Sequence, residues 1–352
     1  MEQTNNKPDI RQVPEAELLK FLNEYGEKPF RLKQLRPWLW KHFINTFDEI
    51  KNMPSGLLNA LTSTYLLTFF ESVRTLEDMD GTEKTAFRLA GDTVVEGVLI
   101  PAADRLTACL STQAGCPVGC AFCATGKMGF KRNLTASEMY AQFVSLNRRA
   151  VQKWGRGLTN IVLMGMGEPL LNYEQVVRFI TMINTSDGHS FSARRITLST
   201  VGIPQYIKRL ADDSLKVNLA VSLHAPTNEK RNALVPLNKT YPIEMLIEAL
   251  MYYYKKTKQT ITFEYVLLRG INDGRTDAVQ LAALCRQFPS KVNIIEFNSF
   301  EGVAYQKPEA VMTGNFCRIL KEQGVNCTLR QSKGSTINAA CGQLSHIVNI
   351  SY

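Results

Sequence analysis

The chain has 352 residues, 45% hydrophobic and 21% charged, ordinary for a soluble globular protein and enough for one large domain and a smaller one. A formal net charge of +9 favours a polyanionic partner such as nucleic acid. No run of about eighteen apolar residues occurs, which argues against a membrane span, and the opening MEQTNNKPDI lacks the apolar core of a secretory signal, so a cytoplasmic protein is expected.

Residues 1–68 read as a helical module. Pro14 and the acids after it open a helix with Leu18, Leu19 and Leu22 on one face. Residues 31–43 repeat the pattern, with Leu32, Leu35, Leu39 and Phe43 at helical spacing. Lys28, Arg31, Lys33, Arg36 and Lys41 cover the other faces beside Trp38 and Trp40. That composition reads equally as a solvated basic face and as an RNA-contact surface.

Residues 69–104 change character. Met79-Asp80-Gly81 marks a turn, and 84–90 and 93–100 read as two strands joined at Gly91-Asp92 and ended by Pro101, a short β-hairpin bridge. From 105 to 352 strands alternate with helices. Strands are expected at 107–111, 160–164, 195–199, 216–222, 260–267 and 291–297, with 325–330 and 346–350 as further candidates. Helices are expected at 135–149, 173–184, 203–212, 243–255 and 278–287. Alternation of this kind predicts a parallel sheet. In barrel-like folds built this way, chemistry gathers at the C-terminal ends of the strands.

Eight cysteines, three of them in Cys116-Pro-Val-Gly-Cys120-Ala-Phe-Cys123, point to metal and redox chemistry and not to a disulfide framework. A structural zinc site takes four ligands, commonly from paired C-x2-C hooks. Here the first gap is one residue too long and no fourth ligand lies nearby. Three thiolates around an iron–sulfur cluster, by contrast, leave one iron open to a further ligand. Cys109 falls on the first expected barrel strand. Cys341 is flanked by small residues (Gly334, Ala339, Ala340, Gly342), which suits a mobile loop. Taken singly, each of these two cysteines has an ordinary structural reading.

The three-cysteine run, with Phe122 before its last member, resembles the radical S-adenosylmethionine (SAM) superfamily. Further motifs narrow the resemblance: Cys109, Met164-Gly-Met-Gly-Glu168-Pro-Leu-Leu-Asn, Leu198-Ser-Thr-Val-Gly, Ser222-Leu-His-Ala and Asn338-Ala-Ala-Cys-Gly-Gln-Leu. They occur in the order of the RlmN/Cfr family of RNA adenine methyltransferases, and the likeness covers nearly the whole chain. Pro169 after Glu168 is nearer to the branch that methylates carbon 2 of adenine than to the carbon-8 branch.

The resemblance implies an α/β fold, the partial (βα)6 barrel of radical SAM enzymes, carrying the N-terminal helical module and the hairpin bridge. It implies a 4Fe–4S cluster on Cys116, Cys120 and Cys123. SAM, two molecules per turnover, would be held by Gly167, Glu168, Ser199, Ser222, Leu223, His224 and Asn298. Cys341 would be the S-methylcysteine intermediate, Cys109 the resolving thiol that closes a disulfide with it, and Glu96 the proton acceptor. The implied substrates are an adenosine in the peptidyl-transferase region of 23S rRNA and the adenosine 3′ of the anticodon in tRNAs, with a flavodoxin-like reductant, no membrane partner and a monomeric enzyme. Lys127, Lys131, Arg132, Arg194 and Arg195 are expected to face the RNA, while Cys285, Cys317 and Cys327 are assigned to packing. A carbon-8 methyltransferase and a zinc-stabilised RNA-binding protein remain the alternatives.

Overall fold

The computed structural model describes residues 7–42, 44–70, 72–89, 93–185 and 189–345. The expected turn at Gly91-Asp92, Phe43 and the candidate strand 346–350 lie outside them. No helix among the described residues is long and apolar enough to cross a membrane.

The N-terminal module contains α1 (Glu15–Glu24), α2 (Phe30–Trp40) and α3 (Ser55–Thr64). Leu18, Phe21, Leu22, Leu32, Leu35, Leu39, Leu57 and Leu61 close a core of their own. Such side chains contribute roughly 1.5–3 kcal/mol each on burial. Arg11 is buried and donates to the carbonyls of Leu39, Ile44 and Thr68 at 3.0–3.3 Å, while Asp9 accepts from the Arg11 and Thr68 amides.

The expected hairpin is three strands, not two. β1 (Ser72–Glu77) pairs antiparallel with β2 (Glu83–Arg88), and β2 with β3 (Val94–Pro101). β3 then pairs antiparallel with β4 (Leu106–Cys109), setting Val98 opposite Cys109, so these strands continue the main sheet. β1 was missed because its exposed, charged sequence has no apolar alternation to detect.

Beyond β4 come a two-stranded ribbon, β5 (Gln113–Gly115) with β6 (Phe130–Asn133), and the short α4 (Ala124–Lys127) between them. The repeating part follows: α5 (Ala136–Trp154), β7 (Asn160–Leu163), α6 (Tyr173–Asn184), β8 (Ile196–Thr200), α7 (Pro204–Asp212), β9 (Asn218–Ser222), α8 (Asn228–Leu234), α9 (Ile243–Thr257), β10 (Ile261–Leu267), α10 (Arg275–Cys285), β11 (Ser290–Glu296), α11 (Ala310–Glu322) and β12 (Asn326–Arg330). The sheet order is β1-β2-β3-β4-β7-β8-β9-β10-β11-β12. Every neighbouring pair from β4 onward is parallel, so the α/β barrel-type sheet carries a seventh parallel strand, β12, among the described residues. β10 is buried along its whole length, although Thr262 and Glu264 alternate with its apolar residues.

α5 joins the two cores. Thr135 and Glu138 form a reciprocal cap at its start, and Gly155 in the left-handed conformation ends it. Its Tyr140 hydroxyl reaches the Leu39 and Trp40 carbonyls, Arg148 bonds Asn45, and the Arg11 guanidinium lies over the Tyr140 ring. Trp40 packs edge-on against Tyr140 with centroids 5.3 Å apart, so this tryptophan serves the seam between the cores and not a surface. Arg31 and Arg36 are paired with Glu27 and Glu15.

Gly202, just after β8, has φ +101°, and a Cβ there would stand 2.6 Å from Leu246 Cδ1 on α9. Gly202→Ala is expected to cost about 2–4 kcal/mol from backbone strain plus overpacking. Gly26→Ala, at φ +70° in open space, should cost only about 1 kcal/mol. Urea unfolding of both variants checks this, and equal losses would mean that the α7–α9 contact is soft.

Candidate active site

The carboxyl ends of the parallel strands surround a cavity of about 920 Å³ including its mouth, room for a cofactor-sized ligand. Cys116, Cys120 and Cys123 line one side. Gly167 and Glu168 after β7, Ser199 on β8, Ser222 on β9, His224 after β9 and Asn298 after β11 line the rest, with Cys341 and Gly342 across the mouth.

The cysteine loop is fixed by backbone bonds. The Cys116 amide donates to Gly129 (2.9 Å), Ala121 to Leu234 (3.0 Å) and Ala124 to Gly342 (2.7 Å). Gly126 is needed for close approach, since a Cβ there would sit 2.9 Å from the Cys120 nitrogen. Burial pushes the Cys116 thiol up to about 12, Cys120 well above its usual value and Cys123 upward. Burial and the mutual repulsion their thiolates would suffer hold these groups neutral, and they become thiolates when a metal supplies the positive charge.

Glu168 is buried, with Oε1 accepting from the Leu170 amide (3.0 Å) and Oε2 from the Val201 amide (2.9 Å). Burial raises its carboxyl to about 7 despite those bonds. It is an acid in the cavity wall that could answer a ligand ammonium, with Glu264 as a second carboxylate in the same wall, there engaged by Arg330 and Asn293. His224 sits in left-handed backbone (φ 58°), its Nδ1 accepting from the Val266 amide and its ring edge-on to Phe122. Burial, with Arg231 nearby, lowers it to about 3, so the ring is neutral at physiological pH.

Arg231 was not singled out by the sequence. It is almost fully buried on α8, with Nε donating to Leu223 (3.0 Å), Nη1 to Asn238 (2.6 Å) and Nη2 to the Ser222 and Val201 carbonyls. It ties the ends of β8 and β9 together. Burial lowers it to about 10 and the Cys120 sulfur supports its charge, so it remains a cation near the cysteine loop.

The Cys341 segment, read from its small residues as a mobile loop, is tied to its surroundings at several points in this conformation. Asp80 and Asp78 accept from the Gly334 and Thr336 amides, Lys84 Nζ reaches Asn338 O, and Glu96 accepts from the Ser345 amide. Thr125 Oγ1 and Gln343 Nε2 tie its far side to Leu344 and Ser299. The small residues serve close packing: a Cβ on Gly334 would meet Ala339 and Thr82 at 2.7 and 2.8 Å. Cys341 is exposed to the cavity yet ringed by protein, and it also lines a second, smaller cavity that contains Cys109. Burial pushes the Cys109 thiol up to about 12 and raises Cys341 as well.

Not every expected residue joins the cavity. The Leu223 side chain is in the main core, its carbonyl taken by Arg231 and its amide by Glu264 O. Glu96 is fully buried and lines neither cavity. Lys84 Nζ lies 3.0 Å from Glu96 Oε1 as an ion pair without hydrogen-bond alignment. Arg194 and Arg195 precede β8 and so stand at the opposite end of the sheet from the site. Lys127 donates to Gly302 O and Arg132 is bound by Glu138, which leaves Lys131 as an exposed cation beside exposed Phe130. Cys317 on α11 and Cys327 on β12 lie outside both cavities, as does Cys285. Glu264 and Arg330 line the site unannounced. Their signal was a lone acid in the apolar run Thr262-Phe-Glu-Tyr-Val266 and a cation at the end of a strand.

Residues 110–282 match the Radical SAM superfamily, and residues 9–67 match the ribosomal RNA large subunit methyltransferase N-terminal domain. A protein of Christiangramia forsetii named probable dual-specificity RNA methyltransferase RlmN is 41% identical over 97% of this chain and 97% of its own. One of Desulfosudis oleivorans, named dual-specificity RNA methyltransferase RlmN, is 42% identical over 98% of this chain and 92% of its own. The crystal structure of a radical SAM methyltransferase from Sphaerobacter thermophilus superposes with a TM-score of 0.92 at 43% identity, covering 96% of this chain and 99% of the other. The chain belongs to the RlmN family of radical SAM RNA methyltransferases.

Radical SAM enzymes use a 4Fe–4S cluster and SAM. The RlmN-family site described here fits both: three thiols on one glycine-punctuated loop, Cys120 buried and Cys116 and Cys123 half-buried, a buried cation near Cys120, and a cavity with carboxylates in its wall. No three His, Cys, Asp or Glu side chains among the described residues converge on a single metal ion, and a cluster needs no such convergence. Since Glu168 lies near pH 7 before SAM arrives, its ionised, ammonium-binding form is complete above that pH and scarce below it. SAM affinity of the cluster-loaded protein should therefore fall as pH drops from 7.5 to 5.5, approaching about tenfold per unit at the acid end. Glu168→Gln should bind weakly and without that slope. Calorimetric titration across the range decides it, and a flat wild-type profile would show that Glu168 does not meet the ammonium.

Proposed function

We propose that this protein methylates carbon 2 of adenosine in the peptidyl-transferase region of 23S rRNA and 3′ of the anticodon in tRNAs, through S-methylated Cys341. The observation that carries this reading is the placement of Cys341 in the walls of two cavities, one lined by the cysteine loop and Glu168, the other by Cys109.

The residues divide the work. Cys116, Cys120 and Cys123 would hold the cluster, which when bound supplies the electron that turns SAM into a source of a hydrogen-abstracting carbon radical. Glu168 takes the SAM ammonium, and Gly167, Ser199, Ser222, His224 and Asn298 shape the rest of the pocket. Cys341 first accepts a methyl group by polar substitution at the SAM sulfonium. The adenine C2 position is electron-poor and a poor target for direct sulfonium transfer, so Cys341 must carry the methyl as a sulfide from which a hydrogen can be removed. Its methylene then bonds C2, and Glu96 accepts the C2 proton. Lys84 and the Ser345 amide occupy Glu96 at present, so segment 338–345 shifts when RNA enters. Cys109 finally attacks the Cys341 sulfur, closing a disulfide and freeing the methylated base. A flavodoxin-like reductant supplies electrons, and the enzyme works as a cytoplasmic monomer. Residues 1–68 serve as the RNA-contact module, 69–104 as the bridge and 105–352 as the catalytic unit, with Lys131 and Phe130 at the RNA face. Pro169 after Glu168 favours carbon 2 over carbon 8.

Three variants separate the steps. Cys120→Ala should lose the cluster and reductive SAM cleavage. Cys341→Ala should keep both and methylate no RNA. Cys109→Ala should methylate Cys341 and then stall as a nuclease-sensitive protein–RNA adduct on denaturing gels. Mass spectrometry of RNA from cells lacking and regaining the protein should show 2-methyladenosine lost and restored; 8-methyladenosine in its place, or turnover by Cys341→Ala, would overturn the reading.

A further inference from the structure

The two cavities share four wall residues: Met164, Ile295, Arg330 and Cys341. Two of these are apolar, so Arg330 is the one charged group that both cavities see at the thiol. Parallel register explains its placement. Arg330, at the end of β12, lies opposite Ile295, while Glu264 on β10 lies opposite Asn293 on β11. Glu264 is buried, and its Oε1 accepts from Asn293 Nδ2 at 2.9 Å, which leaves Oε2 to meet Arg330 Nη1 at 3.5 Å. The guanidinium is thus anchored at one nitrogen, while the Arg330 side chain keeps 37% of its surface open. A planar fork anchored on one edge presents its remaining donors in a fixed direction. Both Cys341 and Cys109 lie within its electrostatic reach, and its charge opposes the burial that raises their thiols, while the Glu264 carboxylate that orients it also raises Cys341 and so offsets part of its effect.

We infer that Arg330, oriented by Glu264 and Asn293, is the positioning residue that holds the Cys341 sulfur as an anion between the two cavities during methyl transfer. The inference rests on Cys341 being the methyl carrier. The step balances without a co-reactant: the thiol proton goes to solvent, the sulfur lone pair forms the new S–CH3 bond, and the breaking bond leaves S-adenosylhomocysteine with the electron pair that neutralises its sulfonium. A neutral thiol attacks poorly, and a thiolate in a buried site needs a fixed cation.

The test uses cluster-loaded protein freed of its Cys341 methyl group and given isotopically labelled SAM, with peptide mass spectrometry following single-turnover methylation. Arg330→Gln is expected to slow methylation at saturating SAM by about ten- to a hundredfold, the usual worth of a charge-assisted contact. Arg330→Lys should recover most of the loss, and Glu264→Gln should fall between. Iron content and SAM dissociation constant should stay at wild-type values in all three. A raised dissociation constant with an unchanged saturated rate would make Arg330 a SAM ligand instead. A lysine variant no faster than glutamine would make its role packing. Either result overturns the inference and leaves the methyl-carrier reading intact, whereas an unsubstituted protein that never labels Cys341 sinks that reading and this inference together.

Discussion

Arg231 is the constraint on which the site depends. Its guanidinium is buried, and it spends its donors on the carbonyls at the ends of β8 and β9 and on Asn238. Carbonyls at strand ends have no ladder partner and are costly to bury unpaired. One cation that satisfies several of them fixes the spacing of Val201, Ser222 and Leu223, and so of the flanking Ser199 and His224. The helix that carries it also accepts the Ala121 amide of the cysteine loop through Leu234. The cofactor loop, the strand ends and a positive charge are therefore one assembly. That charge is also what three buried thiols near it call for, because each is otherwise driven to its neutral form.

The second organising feature is the clasp on the Cys341 segment. Its amides and carbonyls bind β2, β3 and the turn between β1 and β2 on one side and the cysteine-loop helix α4 on the other. The antiparallel strands are thus more than a connection to the helical module: they form one jaw of the active site. In the proposed reaction, opening this clasp would cost roughly 0.5–1.5 kcal/mol net per bond, which RNA contacts elsewhere would have to offset. The N-terminal module is docked through Arg11, Trp40 and Tyr140 onto α5.

The barrel-type fold was legible because β/α alternation is a local signal. The segment 173–184 matches α6 end to end, and the expected helices 203–212 and 243–255 differ from α7 and α9 by one or two residues. Elements without periodicity escaped: β1 with its exposed charges, the ribbon β5–β6, and α8, whose seven residues are too short to show a helical stripe. α11 was missed although it is thirteen residues long, because exposed Val311 and Met312 blur its apolar face.

The sequence by itself marked Cys116, Cys120 and Cys123 as candidates, because residues that share one cluster must lie near one another along the chain. Glu168 and Cys341 were marked only through the motifs of the family resemblance. Only the tertiary structure decided which charges serve them. Arg231 and Arg330 are two among 41 basic residues, indistinguishable by composition from solvated ones. The same folding that brought them to the site sent Arg194 and Arg195 to the far end of the sheet and Leu223 into the core. A charge acquires its role from burial and from the partners that surround it, and those come from strands brought side by side, such as β10, β11 and β12, whose pairing no local spacing encodes.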